Sequence, residues 1–112
     1  MLSYALIVFA VAAVGGLILA SRVLRDQFAP WALSLVHALL GAIGLILLIV
    51  MMVQGDGAQR LLVAFILLLI AALGGFFLAS FHLRQKMPPK GVVVVHAVVA
   101  VIGFLTLLSL LV

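Results

Sequence analysis

Two histidines, His37 and His96, lie well inside apolar stretches of the chain. Ionisable groups in such surroundings are costly to keep and usually serve a function. Each stands seven residues after a proline, Pro30 or Pro89. Gly41 and Gly44 follow His37 by four and seven positions, and Ala100 and Gly103 stand in the same relation to His96. Those spacings put the small residues on the same helical face as the imidazole. An imidazole beside a strip without side chains offers a ligand for a metal-bearing macrocycle and room for its edge. The expected chemistry is one b-type haem, with its iron between His37 and His96. Two other uses of the same residues stay open. The histidines could hydrogen-bond a carbonyl or a hydroxyl of the next helix, with Ser21, Ser34 and Ser80 as available partners. Each could instead hold the magnesium of a chlorophyll-type pigment.

The two histidines are connected by a repeat. Shifted by 59 positions, the chain matches itself without a gap. Gly15-Gly16 falls on Gly74-Gly75, Leu19-Ala20-Ser21 on Leu78-Ala79-Ser80, Leu24-Arg25 on Leu83-Arg84, and Pro30 on Pro89. Val36-His37-Ala38 falls on Val95-His96-Ala97, Ile43-Gly44 on Ile102-Gly103, and Val53 on Val112. Leucine and valine identities mean little in an apolar chain, but glycine, arginine, proline and histidine are scarce enough here to indicate duplication. The expected units are 1–53 and 61–112, within one membrane domain. Each contains two helices, so both enter the membrane in the same direction. A pseudo-twofold axis along the membrane normal would then bring His37 and His96 to the same depth from opposite sides.

The elements that must position them follow from composition. Of 112 residues, 70% are apolar and 7% are charged. A soluble domain runs near half apolar and a quarter charged, so lipid is the expected solvent. Four apolar segments stand out, 2–21, 30–53, 61–81 and 91–112. Each is close to the roughly 20 residues that cross a hydrocarbon core of about 30 Å. Backbone groups in lipid must pair within their own segment, so each is read as a helix, and the links are short enough to make neighbours antiparallel. The expected fold is an all-α, four-helix transmembrane bundle made of two tandem hairpins. The strips Ala12-Gly16-Ala20 and Ala71-Gly75-Ala79 place small residues every fourth position for close helix packing. Trp31 and Tyr4 read as anchors at opposite membrane boundaries.

The net charge is +4, but the basic residues sit in short links, where they orient a membrane protein and do not suggest nucleic acid. Arg22 and Arg25 lie in loop 22–29, and Arg84, Lys86 and Lys90 lie in loop 82–90. The other side holds Arg60, next to Asp56. Both basic loops are therefore expected on the cytoplasmic side of a bacterial inner membrane, with the termini outside. His37 and His96 fall about 10 Å in from that end at 1.5 Å per residue. Arg25 and Arg84, which are repeat counterparts, are placed to meet haem propionates through forked guanidinium–carboxylate pairs. His82 lies just past the third segment, its counterpart is Val23, and it reads as a loop residue.

In architecture the whole chain resembles the small transmembrane b-type cytochromes, four-helix bundles that hold haem between paired histidines. In motif the resemblance covers His37 with Gly44 and His96 with Gly103. It implies electron transfer, with a quinone or a neighbouring redox membrane complex as partner. Members with two haems carry four ligand histidines, and two here imply one haem. The competing functional class is a cofactor-free structural or assembly subunit, within a homo- or hetero-oligomer.

Several classes are disfavoured. Without cysteine there are no disulfides, thiolate metal sites, iron–sulfur clusters or covalently attached haem. No segment has the marks of a cleaved signal peptide. The length and helix count resemble the small multidrug-resistance exporters, but the glutamate of their first helix has no counterpart in 2–21. No hydrolytic triad, phosphate-binding loop or zinc set assembles. The protein reads as an electron carrier or accessory subunit before an enzyme.

Overall fold

The structure is a computed structural model that describes residues 1–55 and 57–111. Asp56, expected beside Arg60, and Val112, the counterpart of Val53, lie outside the described residues. Four helices follow one another: α1 (Leu2–Leu24), α2 (Trp31–Val53), α3 (Gln59–Leu83) and α4 (Lys90–Leu108). A 3-10 turn at Ser109–Leu111 ends the chain's described part. No strand occurs among the described residues. All four helices are long and apolar enough to cross a membrane. The molecule is 43 Å along its longest axis, which exceeds a hydrocarbon core of about 30 Å and leaves the helix ends at the interfaces.

The helix ends differ slightly from the expected segments, for physical reasons. α1 and α3 continue through Arg22 and His82, residues expected in loops, because a helix can place a polar side chain at its last turn. Each then stops alike. Arg25 and Arg84 are the C-caps, and the next residues, Asp26 and Gln85, take left-handed conformations with φ of 60° and 54°. The amides of Gln27 and Lys86 close the turn on the carbonyls of Arg22 and Phe81. Pro30 and Pro89 precede α2 and α4 as N-caps, with φ of −63° and −61°.

Each helix packs on its sequence neighbours, and α4 closes the ring against α1. Packing is most extensive within α1–α2 and within α3–α4 and thinner between these two hairpins. α2 and α4 thus lie diagonally opposite. The close-packed core occupies the end of the bundle that holds the N-terminus. There Ala5, Leu6, Phe9, Leu48, Met51, Leu61, Ala64, Leu68 and Leu107 form one buried cluster. Toward the basic end the buried apolar residues are Ala12, Ala71, Val23 and Val93. Both histidines lie in that second half, where glycine and alanine line the interior.

Candidate functional site

His37 on α2 and His96 on α4 face each other across the diagonal. Their ring centres are 6.3 Å apart and their planes are 83° apart. Both are half-buried. His37 Nδ1 donates to the carbonyl of Ala12 on α1 at 2.8 Å. A carbonyl oxygen only accepts, so Nδ1 is the donor in this bond. The partner is thus backbone, not Ser21 or Ser80, whose hydroxyls donate to the carbonyls of Ile18 and Phe77 in their own helices. His96 is placed against α3 in the same way, near the carbonyl of Ala71. Its Nδ1 is buried but completes no hydrogen bond of good geometry.

The bare surfaces that accommodate the rings are not the ones expected. A methyl group at Gly44 would lie 2.5 Å from Phe9 Cζ, and one at Gly103 would lie 2.9 Å from Leu68 Cγ. Those glycines seat the buried Phe9 and Leu68 of the close-packed core. Gly41 has nothing within 4 Å of an added methyl, and Ala100 is half-buried. The glycines that meet the imidazoles are on the neighbouring helices. A methyl at Gly16 would come 2.7 Å from His37 Cε1, and one at Gly75 would come 3.2 Å from His96 Cε1. Gly15 and Gly74 lie against the Cβ atoms of the same two histidines at 4.0 Å. The small-residue strips of α1 and α3 therefore pack against the histidine helices and give the imidazoles their room.

At the basic end, Arg25 and Arg84 are exposed and turn back on their own helices. Arg25 Nε donates to the Ser21 carbonyl at 3.1 Å, and Arg84 Nε to the Ser80 carbonyl at 3.2 Å. Their Nη2 atoms reach the hydroxyls of the same serines. Arg84 also lies over the Phe81 ring, 4.6 Å from its centre. Both arginines thereby add a second donor to carbonyls that already accept from the Arg25 and Arg84 amides, at a helix C-terminus where positive charge is favoured.

His82 is a correction to the sequence reading. It lies in the last turn of α3, half-buried, and stacks on Trp31 at 3.8 Å with planes 14° apart. The pair joins the two hairpins on the α2–α3 side. On the α1–α4 side, Lys90 meets Asp26 at 2.9 Å. At the opposite end Arg60 donates to the carbonyl of Ser109 at 3.0 Å and so ties α3 to the chain beyond α4.

Among the described residues, no group of three or more His, Cys, Asp or Glu could hold a metal ion. His37 and His96 could therefore offer a metal no more than two side-chain ligands of these types. Comparison of the chain with protein-family models, with curated proteins and with solved structures found no match.

Proposed function

We propose that this is a membrane b-type haem protein that carries electrons, with one haem held between His37 and His96. The observation that carries the reading is the facing imidazole pair, 6.3 Å between ring centres, on diagonally opposed helices. Two imidazoles bound end-on to one metal, each at about 2 Å, have ring centres on the order of 6 Å apart. The donor type suits the group as well, since His37 and His96 would hold it through imidazole, a common protein ligand of haem iron. When bound, the haem supplies the one-electron chemistry, and the chain supplies ligands, orientation and a dry surround. His37 is oriented by its bond to Ala12, as ligating histidines are by their second nitrogen. Ala12, Gly16, Ala71 and Gly75 keep bulky side chains away from the rings.

In this reading the two hairpins are copies related by a pseudo-twofold axis along the membrane normal. Matching details 59 positions apart support that relation: the caps at Arg25 and Arg84, the turns at Asp26 and Gln85, and the glycine–histidine contacts. The basic links face the cytoplasm of a bacterial cell, and Arg25 and Arg84 would have to leave their serines to meet propionates. A quinone or a membrane redox complex is the partner class that suits a carrier embedded in lipid.

The test is spectroscopic. Protein purified or reconstituted with haemin should show a low-spin b-type spectrum that changes on reduction, and His37→Ala and His96→Ala should each abolish it. A wild-type protein that stays colourless after reconstitution would remove the haem reading. One observation favours a second reading, a cofactor-free structural subunit: the bond from His37 to Ala12 holds α1 to α2 without any ligand. That reading predicts a colourless protein whose histidine variants change only packing. Extraction of a magnesium pigment would instead support the pigment-binding alternative.

A further inference from the structure

The net charge of +4 is gathered at one rim of the bundle. Arg22, Arg25, Arg84, Lys86 and Lys90 stand there against one acid, Asp26, and in the rest of the chain Arg60 is matched by Asp56. Asp26 is taken up by Lys90, so among the described residues no carboxylate meets Arg25 or Arg84. Both arginines are exposed and end membrane-spanning helices, which places them at the level of lipid headgroups.

The two guanidinium groups are held alike. In each, Nε and Nη2 are engaged by the serine one turn back, Ser21 for Arg25 and Ser80 for Arg84. That fixes one edge of the planar group. Nη1 and the second N–H of Nη2 form the other edge, a fork that matches two oxygens of a phosphate. A group already fixed along one edge loses little freedom when the other edge binds. Apolar side chains precede each arginine on the same helix face. Phe77 and Phe81 stand seven and three positions before Arg84 and pack edge to face, 5.2 Å between ring centres. Ile18 stands seven positions before Arg25, and it is exposed, as Phe77 is.

From this repeated arrangement we infer that Arg25 and Arg84 each bind the phosphate of an anionic phospholipid, one lipid per hairpin, with acyl chains lying along Ile18 or Phe77. The inference needs no cofactor and stands apart from the haem reading. Every phospholipid offers a phosphate, but a zwitterionic headgroup also brings an ammonium to a rim with surplus positive charge. Phosphatidylglycerol brings none, so it is favoured over phosphatidylcholine.

Trp31, the chain's single tryptophan, begins α2 at this rim and stacks on His82, two residues from Arg84, so its fluorescence reports the lipid there. The experiment uses the full chain in phosphatidylcholine bilayers, with phosphatidylglycerol carrying brominated acyl chains added stepwise to quench Trp31. The quenching should give a preference for phosphatidylglycerol on the order of 10-fold, and Arg25→Gln with Arg84→Gln should remove most of it. Arg25→Lys with Arg84→Lys keeps the charge but not the fork and should restore only part of it. Lys86→Gln removes the same charge as Arg84→Gln from a side chain that no serine holds, and should lower the preference about 3-fold less. Soluble glycerol phosphate at millimolar concentration should leave the quenching unchanged. Equal quenching of the wild type by brominated phosphatidylglycerol and brominated phosphatidylcholine overturns the inference. Equal losses from Arg84→Gln and Lys86→Gln overturn it in favour of diffuse surface charge, and displacement by glycerol phosphate overturns it in favour of a site for free phosphate.

Discussion

At the scale of single residues, Gly16 and Gly75 are where the smallest change tests the site. The methyl of Gly16→Ala would fall 2.7 Å from His37 Cε1, closer than carbon atoms approach, so the ring must move off its bond to Ala12. The methyl of Gly75→Ala would fall 3.2 Å from His96 Cε1, a contact that a ring with slack absorbs by shifting a few tenths of an ångström. Gly16→Ala should therefore lower haem affinity on the order of 10-fold, as loss of an orienting bond does elsewhere, and Gly75→Ala should lower it less. Haem titration of the two variants, followed by the Soret band, separates them. The histidines and the glycines were visible in the sequence, but not which glycine faces which histidine. Helices that are apolar on every side carry no stripe that fixes their rotation in lipid. Hence Gly44 and Gly103, on the histidine helices themselves, read as the bare strip, when they accommodate Phe9 and Leu68.

At the scale of elements, the ends of α1 and α3 show how the hairpins turn. Length and apolarity made all four spans readable, because lipid demands them. Their last turns were not readable, because Arg22 and His82 look like loop residues until their helices are seen to carry them. Nor was the stack of His82 on Trp31, since the repeat gives His82 no histidine counterpart and Trp31 is distant in sequence. Beyond each cap lies a residue with positive φ. Asp26 has an ion pair with Lys90, but Gln85 holds φ 54° with a side chain that disfavours it. Left-handed backbone costs a non-glycine residue about 1–2 kcal/mol, partly offset by the extra chain entropy of glycine. Gln85→Gly should therefore stabilise the protein by up to about 1 kcal/mol. Reversible unfolding in mixed micelles would register this as a higher denaturant midpoint, and an unchanged or lower midpoint would mean that the turn is unstrained.

At the scale of the whole molecule, the two ends of the bundle are unequal. One end is close-packed around Leu48, Leu61 and Leu107 and is closed by the bond from Arg60 to Ser109. The other is lined by glycine and alanine, holds the histidines, and carries Arg22, Arg25, Arg84, Lys86 and Lys90. Basic residues in short links are retained on the cytoplasmic side, so the histidine end should face the cytoplasm. The chain lacks cysteine, so single cysteines report orientation without background. Gln27→Cys and Lys86→Cys, both exposed in the basic links, should resist an impermeant maleimide in intact bacterial cells and react once the membrane is opened. Gly57→Cys, in the link between α2 and α3, should react in intact cells. The reverse pattern would place the imidazole pair near the outer surface. On the haem reading proposed above electrons would then have to enter from that side, and the arginines at the rim could no longer be explained by the rule that orients the protein.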